Sequence, residues 1–589
     1  MACKFSVDDV LSMWDDIEVQ EFDDESSYST SESSEEESEN IPPPPTAAAS
    51  SSGLRGDHSK AQPPPTKRKG PSSGRQKQAP VQWKTEKDVD IAPPPLRFRP
   101  LKTPGIQVDT TVQHTPGDLF KLFFSPAVVR QLCQTTNSYA AVNTVDKSYK
   151  WVDVDVPEFF RFLGLLQYTA LVKLPCIEDY WCTDPVLHVP FPKSVMPRAR
   201  FQALLWNLHL SDLMEDHTND LQKGTPQHNR VHRAQPLLDH MKVACKAAYH
   251  PRRELAVDER MVATKAKTGI TQFMKNKPTK WGIKLFVVAD SSNGYTVDFT
   301  VYSGKMGGTS EKGLSYDAVM ALVQPAVMGT GYHVYVDNFY SSPTLFNDLV
   351  SLNIGACGTY REGRKGCPPS RGLMTRKTPR GTLRWLRQGK LVFVKWMDTR
   401  EVSMCSTIHA AHGGQTVRRR VKSRDGTFST IEVPSPLPVI AYNKHMGGVD
   451  RSDQLIQYYS AHRRVSRPYR TLFLHCFDIA TTNAYILHVE LSQARQQRAL
   501  SHKAFALQLV KDLCEVETSG APRNRQTSHL PVPLAEQPGD ISYRATAGRR
   551  RCQLCADRGI RSDTPWKCEA CDVPLCLQLN RNCFREWHV

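Results

Sequence analysis

Two short apolar runs, each delivering an aspartate, constrain this 589-residue chain more than any other feature. Leu255-Ala256-Val257 leads into Asp258, and Tyr332-His333-Val334-Tyr335-Val336 leads into Asp337. Both runs read as buried strands closed by their carboxylates, because a strand end is where a buried scaffold can hold a charge at a solvent opening. Asp450 and Asp453 follow Gly447-Gly448 and open a helical stretch, where a spacing of three puts both on one face. Taken singly, each aspartate is more often a turn or helix-cap residue than a ligand. As a set they offer the hard oxygens that Mg²⁺ prefers and Mn²⁺ also accepts. Two such ions about 3.5–4 Å apart activate a water and steady the leaving oxygen in phosphodiester displacement.

The surrounding pattern is α/β. Alternating strands are expected at 284–288 and 295–302, in a sheet whose last strand carries Asp337. A strongly apolar helix follows Pro157, with Phe159, Phe160, Phe162, Leu163, Leu165 and Leu166 on it. Arg161 and Gln167 interrupt it, and it is shorter than the ~20 apolar residues of a membrane span, so it reads as a core helix and no membrane is expected. Asp337 and Asp450 stand 113 positions apart, more than one strand-helix return needs, which implies an inserted subdomain. Within it, 383–396 reads as a hairpin with a Gln-Gly turn.

Four segments occur in order: Val257-Asp258-Glu259, Asn276-Lys277-Pro278-Thr279-Lys280-Trp281-Gly282-Ile283-Lys284, Val336-Asp337-Asn338-Phe339-Tyr340-Ser341-Ser342, and Tyr442-Asn443-Lys444-His445-Met446-Gly447-Gly448-Val449-Asp450-Arg451-Ser452-Asp453-Gln454. With Thr115-Pro116 and the Leu119–Ser125 stretch they make residues 115 to 589 resemble the piggyBac transposases. The resemblance implies an RNase H-like catalytic core with an inserted, mainly β subdomain, flanked by a helical domain and a C-terminal cross-braced zinc finger. It implies that Asp258, Asp337 and Asp450 are the catalytic carboxylates, with Asp453 beside the same Mg²⁺ site. The reaction implied is excision of an element through hairpinned ends and joining to TTAA targets, by a homodimer in the nucleus. Lys280, Lys284, Arg463, Arg464 and Arg467 are the expected DNA contacts. Where the family usually carries a Trp, this chain reads Pro468-Tyr469, so Tyr469 is the expected substitute for base stacking.

The expected organisation is a tail at 1–105, a helical dimerisation and DNA-binding domain at 106–250, and a catalytic core at 251–372. An insertion follows at 373–438, then the remainder of the core with a helical DNA-binding region at 439–512, a linker at 513–547 and a cysteine-rich domain at 548–589. Positions 1–40 hold fourteen acidic residues against one lysine, which leaves 75 basic and 46 acidic residues elsewhere. Such a basic remainder suits double-stranded DNA, with log K falling by roughly 0.9 per phosphate contact as log salt rises. Ser/Glu repeats and proline runs cannot bury enough surface to offset ordering entropy, so the tail is expected to be disordered. It offers a short helix for a protein partner through Val7, Val10, Leu11, Trp14 and Ile17. It also holds an import-like cluster at Lys67-Arg68-Lys69 and acid-flanked Ser33 and Ser34 suited to phosphorylation. No secretory signal is evident at the acidic N-terminus, which predicts an intracellular protein.

Six of the sixteen cysteines fall in the last forty residues, at Cys552, Cys555, Cys568, Cys571, Cys576 and Cys583, with His588 behind them. The spacing suits tetrahedral Zn²⁺ better than disulfides. By the family match, Cys568, Cys571, Cys583 and His588 hold one zinc, and Cys552, Cys555 and Cys576 hold the other. The latter's fourth ligand is open, because Leu579 stands where the family can have a His. Three functional readings follow: a transposase; a domesticated descendant that binds DNA or chromatin without cutting; and a zinc-finger interaction protein of the ubiquitin type, which leaves the aspartates unexplained. A pure binder gains nothing from carboxylates facing phosphates unless a cation sits between them.

Overall fold

The structure is a computed structural model that describes residues 83–145, 149–266, 268–275, 277, 279–304, 310–368, 374–375, 377–422, 426–465, 467–516, 531–534, 549–569, 571–578 and 581–588. The tail features at positions 7–17, 33–34 and 67–77, most of the 513–547 linker, and Leu579 lie outside these residues. The chain divides into two units, 1–516 and 517–589.

Helices of the larger unit begin where the sequence caps them. Thr115 and Asp118 form a reciprocal capping box at Pro116–Phe120, Ser125 caps Pro126–Asn143 and Asp155 caps Val156–Leu171. The expected core helix is this last one, with Phe159, Phe162 and Leu166 buried. Its neighbours pack around Pro468–Ala494, a helix of 27 residues that is buried on nearly every face. Phe120 and Phe124 meet Phe477 of that helix at 5.5 and 6.3 Å between ring centroids. Among the described residues, no helix is long and apolar enough to cross a membrane.

A ten-stranded sheet lies beside the helices. Glu254–Ala263 is its pivot: Trp281–Asp290 pairs with it antiparallel, and Thr296–Val301 and Thr271–Phe273 pair with Trp281–Asp290. On the other side His333–Val336 runs parallel to the pivot, and Gly355–Thr359 runs parallel to His333–Val336. The register sets Val257 opposite Val336, so the residues that follow, Asp258 and Asp337, emerge side by side. The strand carrying Asp258 does not end there, as its apolar run suggested, but continues to Ala263. Trp281–Asp290 supplies partners along its whole length, which keeps the polar stretch 258–260 extended.

Two expected boundaries are corrected. The insertion is not a separate β subdomain, because Glu401–Ser406, Leu391–Met397 and Leu383–Gln388 extend the same sheet from Gly355–Thr359. The expected hairpin is present, but Gln388 pairs with Leu391, so the turn is Gly389-Lys390, with Gly389 at φ 57°. Among the described residues of the insertion, Thr416–Lys422 and Phe428–Pro434 form a ribbon of their own. The tail boundary at 105 also moves, because Lys84–Thr85 pairs with Leu383–Gln388 and Arg99–Pro100 pairs with Gly329–Thr330. Asp90 anchors this segment through a buried ion pair with Arg387 at 2.5 Å.

In the smaller unit, Pro531–Pro533 pairs with Trp566–Cys568 and Arg550–Arg551 with Asp563–Thr564. Its small core is built from cysteines with Leu575.

Candidate active site

Asp258 and Asp337 meet because of the parallel register, and Glu259 joins them. Carboxylate oxygens of the three lie within 4.8 Å of one another. Asp258 bends to accept the Glu259 amide at 2.8 Å, and Asp337 accepts the Phe339 amide at 2.8 Å. Burial pushes the Asp258 carboxyl well above its ordinary range; Lys277 opposes this and the Glu259 and Asp337 charges add to it. Burial and the Glu259 charge raise Asp337 to about 6. Burial works against the Glu259 charge, but Lys284 at 3.0 Å and Lys277 at 4.0 Å hold it below the usual value. Three crowded carboxylates with hard oxygens, two of them with raised protonation, are what a divalent cation relieves, so the donor set fits Mg²⁺ or Mn²⁺.

Asp450 arrives on a different element. Gly448–Tyr458 packs its first turn against the sheet at Gly448, where a Cβ would lie 3.1 Å from Ala256 Cβ and 3.1 Å from Ser291 Cα. That close approach leaves little room for a side chain at 448. Asp450, two residues on, is not among the three carboxylates that gather within 4.8 Å, but it shares with them the neighbour Lys277. Burial raises its carboxyl, and Lys277 opposes the shift. Lys277 is the common neighbour: burial disfavours its charge, yet Asp258, Glu259, Asp450 and Asp337 together keep it protonated. Asp453 stands apart, since buried Arg260 donates to its carboxylate and reaches Ser452 at 2.8 Å. Asp453 is thus ion-paired with Arg260 and lies outside the grouping of Asp258, Glu259 and Asp337. Glu259, Lys277 and Arg260 were not singled out from sequence; the signal available was their place inside or beside the motifs that carry Asp258 and Lys284.

The expected DNA contacts divide. Lys280, Arg464 and Arg467 are exposed. Lys284 is turned inward to Glu259 and lies 4.5 Å from the Phe339 ring centroid. Arg463 donates to Thr169 beneath the surface. Tyr469 cannot stack on a base, because its ring is buried against His209 at 5.2 Å. Its hydroxyl donates to His209 Nδ1 at 3.3 Å, and His209 Nε2 donates to Asp216 at 2.7 Å. Pro468 in the Trp position starts the long helix, where its fixed φ and missing N–H cost nothing.

The cysteine-rich unit gathers two ligand sets, Cys552, Cys555, Cys576 and Cys583 in one and Cys568, Cys571 and His588 in the other. Cys583 thus belongs with Cys552, which corrects the family-based grouping and completes that site with four sulfurs. Among the described residues, the Cys568 set gathers three ligands. Cys555 Sγ lies 3.9 Å from Cys576 Sγ and 3.5 Å from Cys583 Sγ. The edge of a tetrahedron with Zn–S bonds of about 2.3 Å is about 3.8 Å, so the sulfurs fit zinc. His588 Nδ1 donates to the Phe584 carbonyl at 2.7 Å, which turns Nε2 toward Cys571 Sγ at 3.4 Å. The two sets alternate along the chain, as a cross-braced module requires. All fifteen cysteines among the described residues are free of disulfides.

A sheet that converges acidic side chains, followed by a cysteine-rich zinc module, defines a transposase-like chain. The family model described as Transposase IS4 matches residues 115–485, and one described as a DDE_Tnp_1-like zinc finger matches 536–589. The chain belongs to this transposase family, in its piggyBac branch. Among its relatives is PiggyBac transposable element-derived protein 3 of Homo sapiens, 26% identical over 542 residues, covering 90% of this chain and 84% of that protein. PiggyBac transposable element-derived protein 2 of Homo sapiens is 25% identical over 498 residues, covering 82% and 78%. The fold is similar to a cryo-EM structure of a piggyBac transposase synaptic complex with hairpin DNA, at TM-score 0.61 and 21% identity, covering 81% of this chain and 98% of the other.

Proposed function

We propose that this chain is a metal-dependent DNA transposase, a nuclease and strand transferase that excises an element through hairpinned ends and joins it at TTAA. The observation that carries the reading is the cluster of Asp258, Glu259 and Asp337 on adjacent parallel-registered strands. An antiparallel trio followed by two parallel strands supports an RNase H-like core, with acidic residues on its first and fourth strands. Asp258 and Asp337, with Asp450 from the packed helix, would hold Mg²⁺ or Mn²⁺. When bound, such ions supply an activated water and neutralise charge on the leaving oxygen. Lys277 holds the carboxylates together while they carry excess charge, and Asp337 releases its proton above about pH 6. Lys280, Arg464 and Arg467 contact phosphates, and the cysteine-rich module, with Zn²⁺ in its two ligand sets, reads the element's ends. The protein acts as a nuclear homodimer, assembled through the helical region at 106–250.

Excision in cells tests this reading, with a reporter gene interrupted by the terminal repeats that flank genomic copies, and Asp337→Ala as control. Restoration of a single TTAA by the parent protein and none by the variant is the expected result. A second reading, a derived DNA- or chromatin-binding protein without transposition, is favoured by the relatives' names as transposable element-derived proteins. Specific binding of the repeats without excision would select it.

A further inference from the structure

At one edge of the sheet, two large aromatic side chains stand in solvent. Phe273 is 53% exposed and Trp281 is 51% exposed. They face each other across the antiparallel pairing of Thr271–Phe273 with Trp281–Asp290, their ring centroids 4.8 Å apart and tilted by 47°. Aromatic residues of this size normally bury most of their surface. Two of them side by side on an exposed edge make a contiguous apolar platform. Its backbone is tightly held, since a Cβ at Gly282 would lie 2.5 Å from the Val262 carbonyl oxygen and Thr264 N donates to the Trp281 carbonyl at 3.2 Å.

Position and charge identify the occupant. Lys265, Lys275 and Lys280 are exposed on the same stretch of chain, so the aromatics sit among cations. Register places Asp258 opposite Val287, six residues along the strand from Trp281 and on the same face of the sheet. Six residues of strand span about 20 Å. At about 3.4 Å per nucleotide that distance is about six steps of a DNA strand. A protein partner of ordinary composition does not call for lysines flanking an exposed aromatic pair, whereas an unpaired polynucleotide does, through its phosphates and its base faces.

We propose that Phe273 and Trp281 form a base-stacking platform for unpaired nucleotides at the DNA end being processed by the carboxylate cluster. The assignment rests on the nucleic-acid reading above and adds a site to it. It also supplies the exposed aromatic surface that buried Tyr469 does not.

Fluorescence anisotropy of the full chain tests the platform, using a labelled single-stranded oligonucleotide, the fully paired duplex of the same sequence, and that duplex with an unpaired end. Trp281→Ala and Phe273→Ala are each expected to weaken binding of the single strand and the unpaired end by about tenfold, the effect of losing one stacked base. Duplex affinity and thermal unfolding should stay unchanged, and Trp281→Phe should restore most of the loss. Equal losses on all three DNAs, or none, would overturn the platform. A change in oligomeric state on sedimentation with unaltered DNA affinity would assign the surface to a second copy of the chain and also overturn it. The two readings fail separately: absent metal-dependent cutting with an intact Trp281 effect removes only the transposase, and intact cutting with no Trp281 effect removes only the platform.

Discussion

Arg260, buried within the sheet, donates to Asp453 on the helix that carries Asp450. The pair links the strand of Asp258 to the helix of Asp450. Thr296 and Ser452 complete its surroundings, their hydroxyls 3.0 Å apart. Asp453→Ala leaves a buried guanidinium without its counter-charge, which is expected to cost about 3 kcal/mol. Asp453→Asn, which keeps the shape, should leave Mn²⁺ binding at the carboxylate cluster within about twofold, an effect smaller than 0.5 kcal/mol. Chemical denaturation and Mn²⁺ titration measure both, and complete loss of the ion in Asp453→Asn would restore Asp453 as a ligand.

Protonation of Asp337 gives the metal-free protein a pH signature. Its carboxyl is raised from 3.8 to about 6, so it favours the folded state when neutral. That contribution is complete below the unfolded value and is lost as pH rises through the folded one. Stability in the presence of a chelator should therefore fall between about pH 4 and about pH 7, and Asp337→Asn should make the slope shallower. Mn²⁺ binding should strengthen over the same window. An identical slope in the variant would refute the assignment.

Zinc stoichiometry decides the ligand sets. If Cys583 belongs with Cys552, the double variant Cys552→Ser/Cys583→Ser loses one zinc and keeps the other, while Cys568→Ser/Cys583→Ser loses both. The reverse outcome would return Cys583 to the His588 site. Metal analysis of purified protein reads the difference directly.

Gly448 sets how closely the Asp450 helix approaches the sheet. Gly448→Val must displace Ala256 or Ser291 and is expected to cost about 1–3 kcal/mol, the range for overpacking. DNA affinity should be retained while cleavage falls at least tenfold, because Asp450 moves away from the cluster. Unchanged cleavage would show that Asp450 needs no such placement.

Tyr469 serves the fold. Tyr469→Ala should destabilise the protein by about 3–5 kcal/mol, as large aromatic truncations in cores do, with DNA affinity of the folded fraction unchanged. Selective loss of affinity for unpaired DNA, with stability intact, would instead make Tyr469 the stacking residue.

Much of this molecule follows from local sequence. The apolar runs before Asp258 and Asp337, the glycine pair before Asp450, the capping residues at 115, 125 and 155, and the cysteine spacings each announce themselves, because strand alternation, caps and ligand pairs act over a few residues. What neighbours a residue across the sheet or module is a different matter. That Glu259 joins the cluster, that Arg260 occupies Asp453, that Tyr469 is buried while Trp281 is exposed, and that Cys583 completes the Cys552 site depend on register and packing between segments far apart in the chain. The inserted strands joined the main sheet for the same reason: an open edge on Gly355–Thr359 pairs with whatever strand the fold brings beside it, and no local pattern names that partner.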